Sequence, residues 1–180
     1  GVRYALVDDR HFLVSGFTPA QLHGPLWTES DGRRLALFPI DERLRYLIPF
    51  RPPEETAGYL RELRAAGHRL AVLADDGEKF GGWPGTREWV YENGWFERFF
   101  DAVGALVANG EVQLSTLSAA LDAVPSGGLA YLPTASYREI AAWSLPPDAA
   151  TRCRYLERDL GEERVAGPDG ALVRCAHWRN

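Results

Sequence analysis

With 180 residues, 46% of them apolar and 25% charged, and a formal net charge of −5, the chain has the composition of an ordinary globular protein. It is sized for one domain with a real core, or for part of a larger one. Its arginines are spread among acids rather than gathered into a basic face, which argues against a nucleic-acid partner.

No apolar stretch approaches the roughly 18 residues of a membrane span, and the first residues show no charged-then-apolar pattern. No membrane partner is therefore expected, and a cytoplasmic location is. Cys153 and Cys175 lie too far apart for a zinc knuckle and are too few for a disulfide framework, so two unpaired buried thiols are expected. Methionine is absent, and Lys79 is the only lysine among 20 basic residues.

In chain order, residues 2–8 (VRYALVD) read as a strand running into Asp8 and Asp9. Residues 16–32, rich in Gly, Pro, Ser and Asp, suggest a long loop with one helical turn. Residues 35–40 (LALFPI) form a second short apolar run.

A helix is predicted over 51–67 (RPPEETAGYLRELRAAG). Prolines open it, glutamates fill its first turn, Tyr59, Leu60, Leu63 and Ala66 recur at helical spacing, and Gly67 stops it. Residues 69–74 (RLAVLA) are continuously apolar, the pattern of a parallel strand covered on both faces, and they end at Asp75 and Asp76.

A helix from Thr86 to Asn93 would stop at Gly94 before an aromatic turn, WFERFF. Helices are also expected at TLSAALDAV and SYREIAAW, with a buried strand, GLAYL, between them. From Arg152 onward the polar sequence suggests a loop-rich excursion.

This order argues for an α/β layout with parallel strands, whose functional sites sit at the strands' C-terminal ends. Three such ends carry polar groups: Asp8 with Asp9, Asp75 with Asp76, and Thr134 with Ser136.

Adjacent residues of an extended segment point opposite ways, so one of Asp75 and Asp76 can face a cleft while the other orients the loop. A turn or helix cap is the bland alternative for Asp-Asp-Gly. Glu78, Lys79, Trp83 and Trp89 close by favour a sugar site, because a pyranose stacks its apolar face on an aromatic ring and bonds its hydroxyls to charged groups. For Trp89 and Trp95, packing in the core is the stronger expectation. His11, two residues after Asp9, would share its face if the segment were extended.

Asp8, Asp9, Asp75 and Asp76 could instead hold a hard cation. The aspartates of the haloacid-dehalogenase-like phosphatases are separated by one residue, a spacing that DDGEK does not reproduce.

DDGEKFGGWPGTREWVYENGW resembles the fourth signature region of glycoside hydrolase family 57, the amylase and 4-alpha-glucanotransferase family. YALVDDRHF, LRYLIPFRPPEET, YLPTASYREIAAWSLP and VRCAHWRN are similar to further family segments, so the resemblance covers essentially the whole chain. Ala74 stands where some members have histidine, and Cys175-Ala176 replaces a usual pair of glycines.

The resemblance implies a portion of an incomplete (β/α)7 barrel with parallel strands, the chain being a piece of one catalytic domain that needs the remainder of that domain. It implies a retaining mechanism on alpha-1,4-glucans such as starch and maltooligosaccharides, with Asp76 as general acid/base. No metal and no cofactor are expected.

Trp83 is expected to stack on sugar, with Trp143 as a further stacking residue, and Asp9, His11 and Glu78 are expected to contact hydroxyls. The nucleophile, a glutamate at the end of an earlier strand, is expected before Gly1, since Glu29, Glu42, Glu54 and Glu55 lie in other contexts. The isolated chain is then expected to be inactive. The alternative is a non-catalytic glucan-binding or scaffold domain of the same family.

Overall fold

The computed structural model describes residues 1–133, 140 and 144–161. It divides into two compact units, one of residues 1–9 with 17–131 and one of residues 10–16 with 132–180.

The first unit is built on a three-stranded sheet in the order β1-β3-β2, where β1 is Tyr4–Asp8, β2 Leu26–Ser30 and β3 Arg33–Ile40. β1 runs parallel to β3, from Tyr4 opposite Ala36 to Asp8 opposite Ile40. β2 runs antiparallel to β3.

The expected loop over 16–32 is thus corrected at its end, because residues 26–30 are a strand. Ser30 pairs with Arg33 across a two-residue turn in which Asp31 (φ 50°) and Gly32 (φ 70°) are both left-handed. Asp-Gly favours that hairpin turn. The expected helical turn exists as a 3₁₀ turn, Pro19–Leu22.

Helix α2 (Glu42–Leu47) starts at Asp41, whose side chain accepts from the Leu44 N–H at 3.0 Å. Helix α3 (Pro53–Ala65) follows the predicted span, with Pro53 in its first turn and Gly67 left-handed after its end.

Residues 69–74 are not a ladder strand among the described residues. The Asp41 N–H donates to the Val72 carbonyl at 2.9 Å, but Leu73 is 42% exposed, so the run is not covered on both faces. GLAYL is likewise only a single parallel bridge to Trp27, with Ala130 buried between exposed Leu129 and Tyr131.

The expected helix from Thr86 widens into a π turn over Glu88–Glu92, and Gly94 (φ 68°) ends it as predicted. The expected aromatic turn is instead the start of helix α4, Trp95–Ala108. Its aromatics fall four apart: Trp95 stacks on Phe99 at 4.8 Å between centroids, and Phe96 meets Phe100 at 4.9 Å. Helix α5 (Leu117–Ala123) is capped by Thr116, matching TLSAALDAV.

One core cluster joins Leu44, Leu47, Ile48, Tyr59, Leu63, Val90 and Trp95 across α2, α3 and the start of α4. A second packs Phe38 of β3 on Val72 and Ala120, which seats the 69–74 segment between the sheet and α5.

The short helix α1 (Asp9–Leu13) spans the boundary between the units. In the second unit, helix α6 (Pro147–Leu160), with Ala149 and Cys153 buried four apart, corrects the start of the loop-rich excursion expected from Arg152, whose continuation from residue 162, AGPDGA included, lies outside the described residues. Cys153 is buried, as expected, and Cys175 lies outside the described residues. SYREIAAW falls almost wholly outside them too.

Candidate active site

Because β1 and β3 are parallel, Asp8 and Asp41 emerge at the same C-terminal edge. The Asp41–Val72 hydrogen bond brings the end of the 69–74 segment, and hence Asp75 and Asp76, toward that edge.

Arg45 of α2 joins two of these ends. Its Nη1 donates to Asp8 Oδ2 at 3.1 Å and its Nε to Asp75 Oδ1 at 3.3 Å. Burial opposes the guanidinium charge, but Asp75, Asp8 and Asp76 outweigh it and raise the Arg45 pKa above its ordinary value.

The two aspartates divide as the extended geometry predicts. The Asp75 side chain is 5% exposed and accepts from Arg45, from Lys79 Nζ at 2.5 Å and from the Asp76 N–H at 2.9 Å. Asp76 is exposed, and among the described residues nothing donates to its carboxylate. A fully bonded carboxylate orients, whereas an exposed one without donors is free to act on a ligand.

After Asp76 comes a 3₁₀ turn, Gly77–Phe80, which turns Glu78 outward and Lys79 inward. The Glu78 carbonyl accepts from the Gly82 N–H at 2.7 Å and the Trp83 N–H at 3.1 Å. A Cβ on Gly82 would lie 3.0 Å from that oxygen, so the turn needs glycine for close approach.

Trp83 is 41% exposed and stacks on Phe50 with centroids 5.8 Å apart and planes 17° apart. Phe50 in turn is placed by two indoles, since Trp89 Nε1 donates to the Pro49 carbonyl at 2.6 Å and Trp95 Nε1 to the Arg51 carbonyl at 2.7 Å. Trp95 is fully buried and Trp89 half-buried against the same core, as the packing expectation had it.

Asp9 Oδ2 accepts from the Glu42 N–H at 3.3 Å, while Oδ1 is buried without a partner among the described residues. Burial first, then the charges of Glu42, Asp8 and Asp41, push its pKa up to about 7 against the opposing Glu42 N–H. Tyr59 donates to Asp41 Oδ2 at 2.7 Å; burial and this bond raise its pKa too.

The shared face expected for Asp9 and His11 is corrected. Asp9–Leu13 is helical, and residues two apart on a helix project about 200° from each other. Trp143, Thr134 and Ser136 lie outside the described residues.

Sequence reading passed over Arg45, Asp41, Tyr46 and Phe50. The stretch LRYLIPF carries three of them, yet nothing local in it says that Arg45 reaches partners 37 and 30 residues away.

A cavity of about 550 Å³ lies elsewhere in the first unit, lined by apolar residues such as Leu63, Leu70, Val103 and Leu114. None of the strand-end aspartates lines it, and Glu111, the one carboxylate among its lining residues, is bonded to Arg61, so it lacks the pair of carboxylates that glycosidic chemistry requires. Among the described residues no helix is long and apolar enough to cross a membrane, and no cluster of three or more His, Cys, Asp or Glu is arranged to hold a metal ion.

The family model described as Glycosyl hydrolase family 57 matches residues 1–133. The chain is 45% identical over 181 residues to a 4-alpha-glucanotransferase of Thermococcus litoralis, with all of this chain and 27% of the relative covered. It is 42% identical over 184 residues to an alpha-amylase of Pyrococcus furiosus, again with all of this chain and 27% of the relative covered.

The crystal structure of the Thermococcus litoralis 4-alpha-glucanotransferase superposes with a TM-score of 0.84 at 43% identity, covering 98% of this chain and 27% of that one. The chain therefore spans about a quarter of the length of the relatives it matches. By the family match and this identity, over a fold that sets carboxylates at one strand-end edge, the chain belongs to glycosyl hydrolase family 57.

Proposed function

We propose that the full-length protein containing this chain acts on alpha-1,4-glucans, as a hydrolase or 4-alpha-glucanotransferase, by a retaining mechanism in which Asp76 is the general acid/base. The carrying observation is the division between the two aspartates. Asp75 is buried and bonded to Lys79, Arg45 and the Asp76 N–H, while Asp76 is exposed and without a donor among the described residues. The names of the relatives, alpha-amylase and 4-alpha-glucanotransferase, supply the substrate class.

In this reading Asp76 protonates the departing glycosidic oxygen while a glutamate outside these 180 residues attacks the anomeric carbon. Asp76 then takes a proton from water or from a sugar hydroxyl, which resolves the glycosyl-enzyme. Trp83 stacks on a sugar ring beside the broken bond, and Glu78, exposed on the same turn, contacts hydroxyls. Asp9, His11 and Trp143 are proposed as further hydroxyl or stacking contacts. The three-stranded, partly parallel sheet is read as part of an incomplete barrel.

Asp76→Asn in the full-length protein should lower turnover of maltooligosaccharides by about 10²–10⁴-fold while leaving their binding, measured by calorimetry, within a few-fold. Turnover near normal would sink the assignment.

A further inference from the structure

Lys79 is the single lysine in a chain that otherwise uses arginine for its basic residues, and it is 4% exposed. Burying an ammonium ion is costly unless it is paired and its hydrogen-bond capacity is used. Here Nζ donates to Asp75 Oδ2 at 2.5 Å and to the Arg45 carbonyl at 2.9 Å.

The remaining directions meet aromatic rings. Nζ lies 5.2 Å from the Phe50 centroid, 5.9 Å from Trp83 and 6.0 Å from Tyr46. Such distances are within the range at which a ring's negative face attracts a cation. A compact point charge fits a cage with one carboxylate, one carbonyl and three rings. A planar guanidinium with five donors would bring donors that the rings cannot satisfy.

The outer parts of those rings remain open: Tyr46 is 50%, Trp83 41% and Phe50 38% exposed. The three aromatics therefore form a surface platform whose underside is tied to Lys79, and Lys79 is tied through Asp75 to the backbone N–H of Asp76.

We infer that Lys79 is a positioning residue that locks the acid-bearing loop to a sugar platform of Tyr46, Phe50 and Trp83, so that the ring stacked on the platform and the Asp76 carboxylate hold one fixed spacing. This rests on the proposed role of Asp76. Nothing in the cage transfers a proton to substrate. Lys79 acts by fixing geometry, and a displacement of about 1 Å at a catalytic group costs on the order of 10²-fold in rate.

The test compares Lys79→Met with Asp76→Asn in the full-length protein, on maltooligosaccharides and on a 4-nitrophenyl alpha-maltooligoside whose leaving group departs without a proton. kcat/KM is read for each. Asp76→Asn should lose far more on the natural substrate than on the aryl one. If it does not, the acid/base reading fails whatever Lys79 does.

Given that pattern for Asp76→Asn, Lys79→Met should show the same preference in weaker form. A loss of about 10²-fold on maltooligosaccharides, a several-fold smaller loss on the aryl substrate, and a raised KM for both are expected. Equal losses on the two substrates, or a kcat/KM within twofold of the parent on maltooligosaccharides, would overturn the positioning role.

Circular dichroism establishes that each variant folds. If Lys79→Met does not, Asp75→Asn/Lys79→Met replaces the buried carboxylate whose Oδ2 loses the Lys79 ammonium in the single change, and is held to the same outcomes.

Discussion

Asp9 illustrates how a single carboxyl reports its surroundings. Among the described residues its Oδ1 is buried without a partner and its Oδ2 has one N–H at 3.3 Å, and burial with three neighbouring carboxylates raises its pKa from 3.8 to about 7. An acid whose folded pKa exceeds the unfolded one binds extra protons in the folded state between those values. Stability contributed at this site is therefore full below about pH 4, falls as pH rises toward 7, and levels off above.

Asp9→Asn removes that titration and supplies a neutral group. The melting temperature of the variant relative to the parent should climb from pH 5 to pH 7 and then hold steady. Parallel melting-temperature profiles for the two proteins would refute this. The Asp75/Asp76 division was legible because side chains alternate along an extended segment. The Asp9–His11 pairing was misread because the same two-residue spacing means the opposite on a helix.

Among the elements, the turn that follows Asp76 depends on one close approach. A methyl on Gly82 would sit 3.0 Å from the Glu78 carbonyl oxygen and 3.2 Å from its Cα, both backbone atoms that move only if the turn opens. Gly82→Ala should cost about 1–3 kcal/mol in urea unfolding. A smaller control is Thr116→Ala, which removes the cap bond to the Ala119 N–H at 3.2 Å and should cost about 1 kcal/mol, whereas Thr116→Ser should not.

The helices α3 and α5 were readable because their stop and start signals are local: Pro53 and Gly67 in one, Thr116 in the other. The 69–74 segment was not, since continuous apolarity predicts cover on both faces, whereas Leu73 is 42% exposed beside a Val72 that packs on Phe38 and Ala120. WFERFF has the look of an aromatic turn after Gly94, yet rings four apart are also a helical signal, and α4 follows that one. The β2–β3 hairpin was similarly announced by Asp31-Gly32 and passed over in favour of the surrounding Gly, Pro and Ser.

For the whole molecule, the decisive quantity is how many carboxylates can meet at one anomeric carbon. A retaining glycosidase needs two, about 5–5.5 Å apart, one of them a nucleophile. Asp76 is proposed as one. Of the glutamates weighed for the other, Glu29 lies exposed on β2 and bonds the Gly32 N–H, Glu42 opens α2, and Glu54 and Glu55 fill the first turn of α3. Only Glu42 follows a parallel strand, two residues after β3, and there it lies in the first turn of α2. An acid without a nucleophile has no covalent route, so the 180-residue chain alone should release no detectable sugar from maltooligosaccharides under conditions where the full-length protein turns them over. Efficient glucose release by the purified chain would place the nucleophile inside these residues and overturn the division of the catalytic pair.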